Sequence, residues 1–95
     1  MFKYTPNNLK KIEELYKASG YLVRYGQGNF KSGYCILEDK NVIVVNKFFT
    51  VDTKISCLLD LFEEVEVDHN KLPTNLLDFY QKVVAIVNEK KASSN

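Results

Sequence analysis

Four consecutive apolar residues, Val42, Ile43, Val44 and Val45, set the strongest limit on how this chain can fold. A strand of alternating character can leave one face in water. An unbroken run must be covered on both, so residues 41–47 are expected to form a central strand. On either side of this segment the spacing of apolar residues changes. Leu9, Ile12, Leu15, Tyr16 and Ser19 recur every three or four positions, with Lys10, Lys11, Glu13, Glu14 and Lys17 between them, which describes an amphipathic helix. Thr5 or Asn8 can cap its start, Pro6 suits the first helical position, and Gly20 supplies a left-handed stop. Residues 21–25 then read as a short strand, 26–29 as a turn, 30–38 as a second strand with Gly33 as a bulge point, and 39–41 as another turn. Three β segments joined by short turns predict an antiparallel meander.

Phe48-Phe49 leads into a second segment of helical spacing. Thr50 or Asp52 can cap a second helix, whose inner stripe is Val51, Ile55, Leu58, Leu59 and Phe62, widened by Leu61 and Val65. Residues 66–71 form a polar connection, and Pro73 opens a third helix. Its eight apolar residues, Leu76, Leu77, Phe79, Tyr80, Val83, Val84, Ile86 and Val87, cover more than half the circumference. Either other helices pack on two of its sides, or part of it faces a second copy of the chain. Residues 90–95 are expected to be a flexible polar tail. The fold class predicted is α+β: an N-terminal helix, a three-stranded antiparallel meander, and two C-terminal helices packed on the sheet. Ninety-five residues suffice for one core, and no linker divides them, so 1–95 is expected to be a single domain.

Thirteen basic and twelve acidic residues leave a net charge of +1, too little for a global field that would gather nucleic acid or anionic lipid. The halves differ in sign. Residues 1–54 hold nine Lys/Arg and five Asp/Glu, and residues 55–95 hold four and seven, with the acids concentrated at Asp60, Glu63, Glu64, Glu66 and Asp68. Such a run is ordinarily a solvated face, and it can also complement a basic surface within the monomer or across a dimer. No apolar run is long enough to cross a bilayer. The first residues carry no apolar leader, and two cysteines, Cys35 and Cys57, read as buried reduced thiols, so a cytoplasmic location is expected.

The most distinctive segment is Arg24-Tyr25-Gly26-Gln27-Gly28-Asn29-Phe30-Lys31-Ser32-Gly33-Tyr34. It is not a Walker loop, because Phe30 stands where glycine must precede the lysine and a strand, not a helix, follows. It is not a kinase glycine loop either, since Lys31 replaces the third glycine and a catalytic lobe has no room. Read locally, it is a hairpin turn whose glycines take positive φ. Arg24, Tyr25, Gly26, Gly28, Asn29, Lys31 and Tyr34 are nevertheless the best candidate binding residues, since aromatics beside basic groups can stack on bases and hold phosphate. The RNA-recognition signature is incomplete here, lacking the adjacent Lys-Gly and the second aromatic, and alternation puts Tyr21, Val23 and Tyr25 on one face, against a helix.

No catalytic residues, metal ligands or cofactor are expected. His69 is the lone histidine, in a polar loop, and zinc chemistry needs three protein ligands. Pairing of His69 with Cys35 or Cys57 would require thiols outside their apolar surroundings. The pairs Glu13-Glu14 and Glu63-Glu64 are helix neighbours that diverge by ~100° and cannot share a substrate proton.

The stretches Val23-Arg24-Tyr25-Gly26-Gln27-Gly28-Asn29-Phe30-Lys31-Ser32-Gly33-Tyr34-Cys35-Ile36-Leu37-Glu38 and Val42-Ile43-Val44-Val45-Asn46-Lys47-Phe48-Phe49 resemble a group of small bacterial proteins of uncharacterised activity. That group shares RY-x-x-G-x-F-x-x-G-x-C and then a strand ending in Asn-Lys or Asn-Arg. The resemblance, which with the following helix covers about the middle half of the chain, carries no activity. In element order, a hairpin returning through a strand at 42–46 and then a helix at 53–64 is similar to the core of zincin-like metallopeptidases that cleave phage-type repressors. Their helix bears HExxH. Here it reads Ile55-Ser56-Cys57-Leu58-Leu59-Asp60-Leu61-Phe62-Glu63-Glu64, so no metal ligand carries over, and the likeness implies a relative without catalysis whose metal site has become core. The function expected is that of a small non-catalytic interaction or accessory protein with a protein partner, or a homodimer formed through helix 73–89. The alternative is an anion-, nucleotide- or nucleic-acid-binding module using the hairpin 24–34. No membrane partner is expected.

Overall fold

The computed structural model describes residues 2–26, 34–37, 41–65, 67 and 69–93. Helix α1 spans Pro6–Ala18 and is capped by Thr5, whose Oγ1 accepts the Asn8 N–H at 3.2 Å. Asn8 does not compete for the cap, because its side-chain amide donates to the Lys3 carbonyl. At the other end Gly20 adopts φ +93°, and the N–H groups of Gly20 and Tyr21 donate back to Lys17 and Tyr16 at 3.0 and 2.9 Å. This paired closure satisfies the last carbonyls and turns the chain back along the helix it has just left.

The returning segment is β1, Leu22–Gly26, followed by β2, Tyr34–Leu37, and β3, Val42–Asn46. Asn41 enters β3 at φ +51°, a left-handed conformation that asparagine tolerates. The sheet order is β1-β3-β2. Strand β1 runs parallel to β3, Leu22 beside Val42 through Gly26 beside Asn46, whereas β2 is antiparallel to β3, Tyr34 beside Val45 through Leu37 beside Val42. The expected antiparallel meander is therefore wrong in one pairing: β1 does not lie next to β2, and the sheet is mixed. A meander would leave β3 at an edge. The central place gives its apolar run backbone partners on both sides, and the stretch from Gly26 to Val42 is long enough for the crossover that a parallel pair needs.

Helix α2, Val51–Leu61, is capped by Thr50, whose Oγ1 accepts the Thr53 N–H at 3.3 Å. After a 3-10 turn at His69–Lys71, helix α3 runs Thr74–Ser93. Ile43 and Val45 of β3 point to the helices and share one core with Ile12, Leu15 and Tyr16 of α1, Ile55, Leu58, Leu59 and Leu61 of α2, and Phe79, Val83 and Val87 of α3. Val23 and Tyr25 flank it from β1. Helix α3 packs chiefly on α1 and α2, not on the sheet. That accounts for its broad apolar surface: Leu76, Phe79, Val83 and Val87 are buried, and Leu77, Tyr80, Val84 and Ile86 are half-buried. Of the tail expected at residues 90–95, the described part is helical. The helix continues to Ser93, and the Lys90 Nζ meets Asp60 Oδ1 at 2.8 Å, a basic group in the last turns where the helix dipole favours one.

Candidate binding surface at the end of the parallel strands

Strand alternation separates the first two residues expected to form a binding hairpin. Arg24 is exposed on the face of the sheet away from the helices, beside Val44, and Tyr25 is half-buried on the helix face, beside Val45. The two do not converge. Gly26 is the last residue of β1, paired with Asn46, and does not take the positive φ of a turn glycine. A Cβ added there would meet the Val44 Cγ1 at 3.5 Å, an ordinary contact, so nothing local demands glycine. Tyr34 opens β2 beside Val45, while Gly28, Asn29 and Lys31 lie outside the described residues.

What surrounds Tyr25 is a cluster assembled from three elements. Because the Gly20 turn sends β1 back along α1, the Tyr25 hydroxyl reaches Glu13 and donates to its Oε2. From the first turn of α2 the Lys54 Nζ sits 4.7 Å from the centre of the Tyr25 ring, an electrostatic contact of cation with π-face. Burial, then the hydrogen bond to Glu13, then the Glu13 charge push the Tyr25 hydroxyl well above its usual range. It is a fixed neutral donor that ties α1, β1 and α2 together, and is unsuited to act as a base. Lys54 had a signal in the sequence: it lies on the inner stripe with Val51, Ile55 and Leu58, where a charge needs a partner. Glu13 had none, being one of several charges on an outer helix face.

Beside this cluster, at the carboxyl ends of β1 and β3, the chain makes a tight turn. Lys47 N–H donates to the Gly26 carbonyl at 3.1 Å, Phe49 N–H to the Asn46 carbonyl at 3.2 Å, and Phe48 N–H to Asn46 Oδ1 at 3.0 Å. Thr50 then caps α2. With both flanks held, Phe48 is presented outward with 70% of its surface exposed, the Lys47 ammonium 5.2 Å from its ring. The carboxyl end of neighbouring parallel strands is where open α/β sheets place ligands. Here it offers an aromatic ring and cations for recognition.

The thiol chemistry weighed in the sequence has no support around Cys57, which is buried on α2. Burial first, and the Asp60 charge second, raise its thiol, with Lys90 opposing, so the thiolate a nucleophile needs is disfavoured. His69 is exposed and stacks on Tyr80 with centroids 6.0 Å apart. Among the described residues no three His, Cys, Asp or Glu side chains gather as metal ligands, and no helix is long and apolar enough to cross a membrane. Compared with protein-family models, curated proteins and solved structures, the chain matches none.

Proposed function

We propose that this chain is a small cytoplasmic interaction module that acts by docking another protein and not by catalysis. The observation that carries the reading is Phe48, a large aromatic side chain left 70% exposed on a turn whose backbone is fixed on both sides. Interface energy concentrates in such residues, because a rigid aromatic anchor loses little entropy on binding and gains the full benefit of leaving water. Completing the burial of a phenylalanine contributes roughly 1.5–3 kcal/mol, or about ten- to a hundredfold in affinity. The α3 surface within residues 73–89 is the lesser candidate for self-association, since its large apolar side chains are already buried or half-buried. The cytoplasmic location rests on the sequence reading of Cys35 and Cys57 as reduced thiols. Membership of the bacterial group with the RY-x-x-G-x-F-x-x-G-x-C pattern belongs to the same proposal and rests on that pattern alone.

The test compares affinity-tagged wild type with Phe48→Ala in extracts of the cells that make the protein. The variant should keep the same circular dichroism and melting temperature, because Phe48 adds little to the core. A partner held by the wild type should fall at least about tenfold in the variant. Equal recovery of every associated protein by both chains would refute the reading.

A further inference from the structure

The outer edge of β1 is a surface separate from Phe48. Among the described residues strand β1 has a neighbour on one side only. In its parallel ladder Leu22, Arg24 and Gly26 are the residues bonded to β3, as Leu22 N–H to the Asn41 carbonyl at 3.0 Å and Lys47 N–H to the Gly26 carbonyl at 3.1 Å show. The N–H and C=O of Val23 and Tyr25 therefore point away from the sheet, and among the described residues none bonds them. Along this edge lies a groove of about 380 Å³, lined by Lys10, Glu13, Glu14 and Lys17 of α1 and by Leu22 and Val23 of β1. On the opposite face of the sheet the same edge carries exposed Arg24 and Leu22, the latter 43% exposed.

We propose that this edge receives an extended segment of a different protein as an added antiparallel strand, with an acidic residue opposite Arg24 and, two residues later, an apolar one opposite Leu22. Backbone groups of Val23 and Tyr25 supply the hydrogen bonds, and alternate side chains supply the selectivity, as in other strand-addition complexes. Side chains on the inner alternation face the α1 stripe, whose order of charges is basic, acidic, acidic, basic. The composition of β1 argues against a second copy of this chain. Two-fold antiparallel pairing of β1 with itself sets Arg24 opposite Arg24, Leu22 or Gly26, according to register, and never opposite an acid. A foreign strand can place an acid there, and Arg24 then serves as the charge that selects the partner.

The test uses the full isotope-labelled chain and a short blocked β-forming peptide carrying glutamate two residues before leucine. The amides of Val23 and Tyr25 should move most on titration, and a peptide methylated on the backbone nitrogens that face the edge should move neither. Arg24→Glu, an exposed change that keeps the spectrum of the fold, should weaken the glutamate peptide about fivefold, and replacing that glutamate by lysine should restore binding. Absence of shifts at millimolar peptide, shifts centred elsewhere, equal binding of the methylated peptide, or indifference to the charge swap would each overturn the proposal. So would dimerisation of the peptide-free chain through the same amides.

Discussion

Tyr16→Phe removes one oxygen from the centre of the molecule and should cost far more than its size suggests. Tyr16 is fully buried on α1, and its hydroxyl donates to the Leu58 carbonyl of α2. That carbonyl needs a partner because the helix ends there. The Phe62 N–H, its ordinary partner one turn on, donates instead to Leu59 at 3.1 Å. The tyrosine thus closes the end of α2 from a neighbouring helix, a cap supplied by tertiary structure. Taking the hydroxyl away leaves a buried acceptor unsatisfied, at about 1–3 kcal/mol. For a domain of this size each kcal/mol moves the melting temperature by about 4–8 °C, so a loss near 2 kcal/mol lowers it by roughly 8–16 °C. Urea denaturation and a thermal melt followed by circular dichroism read both quantities, and the urea slope should not change. A fall in melting temperature under about 2 °C would mean that the carbonyl finds water or another donor, and that the cap is not needed.

Tyr25→Phe should cost about 1 kcal/mol through loss of the Glu13 hydrogen bond, and it also changes the pH response. Because the folded state raises the Tyr25 hydroxyl above the unfolded value, the linked stability is present in full below pH of about 10 and is lost as pH rises beyond it. Alkaline urea melts should therefore show a steeper fall for wild type than for the variant; identical slopes would deny the burial and hydrogen bond invoked. Thr50→Ala removes the α2 cap and should destabilise by about 1 kcal/mol, read as a lower urea midpoint, and an unchanged midpoint would place the cap elsewhere. In a Cys35→Ser background, Cys57 should react with a thiol reagent far more slowly in the native state than in denaturant, because its thiol is buried and held protonated. Rapid native labelling would return thiol chemistry to consideration.

The parts of the fold that were legible in the sequence are those fixed by neighbours along the chain. Thr5, Pro6 and Gly20 bound α1 where they stand, Thr50 caps α2, and Val42 to Val45 form a strand. The pairing partner of that strand was not legible. Strand character is a property of a few residues, whereas the choice between β1 and β2 as neighbours depends on how α1 and α2 compete to cover Ile43 and Val45. The extent of α3 was hidden for a related reason: nothing near Lys90 in the sequence announces Asp60, thirty positions away, as its partner. At the candidate surface, alternation correctly put Tyr25 against a helix, and the same alternation removed Arg24 from its company. Phe48 stood in plain view but read as part of the apolar lead into α2; only the side-chain turn of Asn46 shows that it is turned outward.

Both proposed contact surfaces, the turn at Phe48 and the edge of β1, exist only if β3 lies between β1 and β2. Nuclear Overhauser contacts between backbone protons of the strands test this most directly. The account predicts contacts of Val23, Arg24 and Tyr25 with Ile43, Val44 and Val45 in parallel register, and none with Tyr34 to Leu37. Contacts between β1 and β2 in an antiparallel register would put a different strand at the centre and contradict the account.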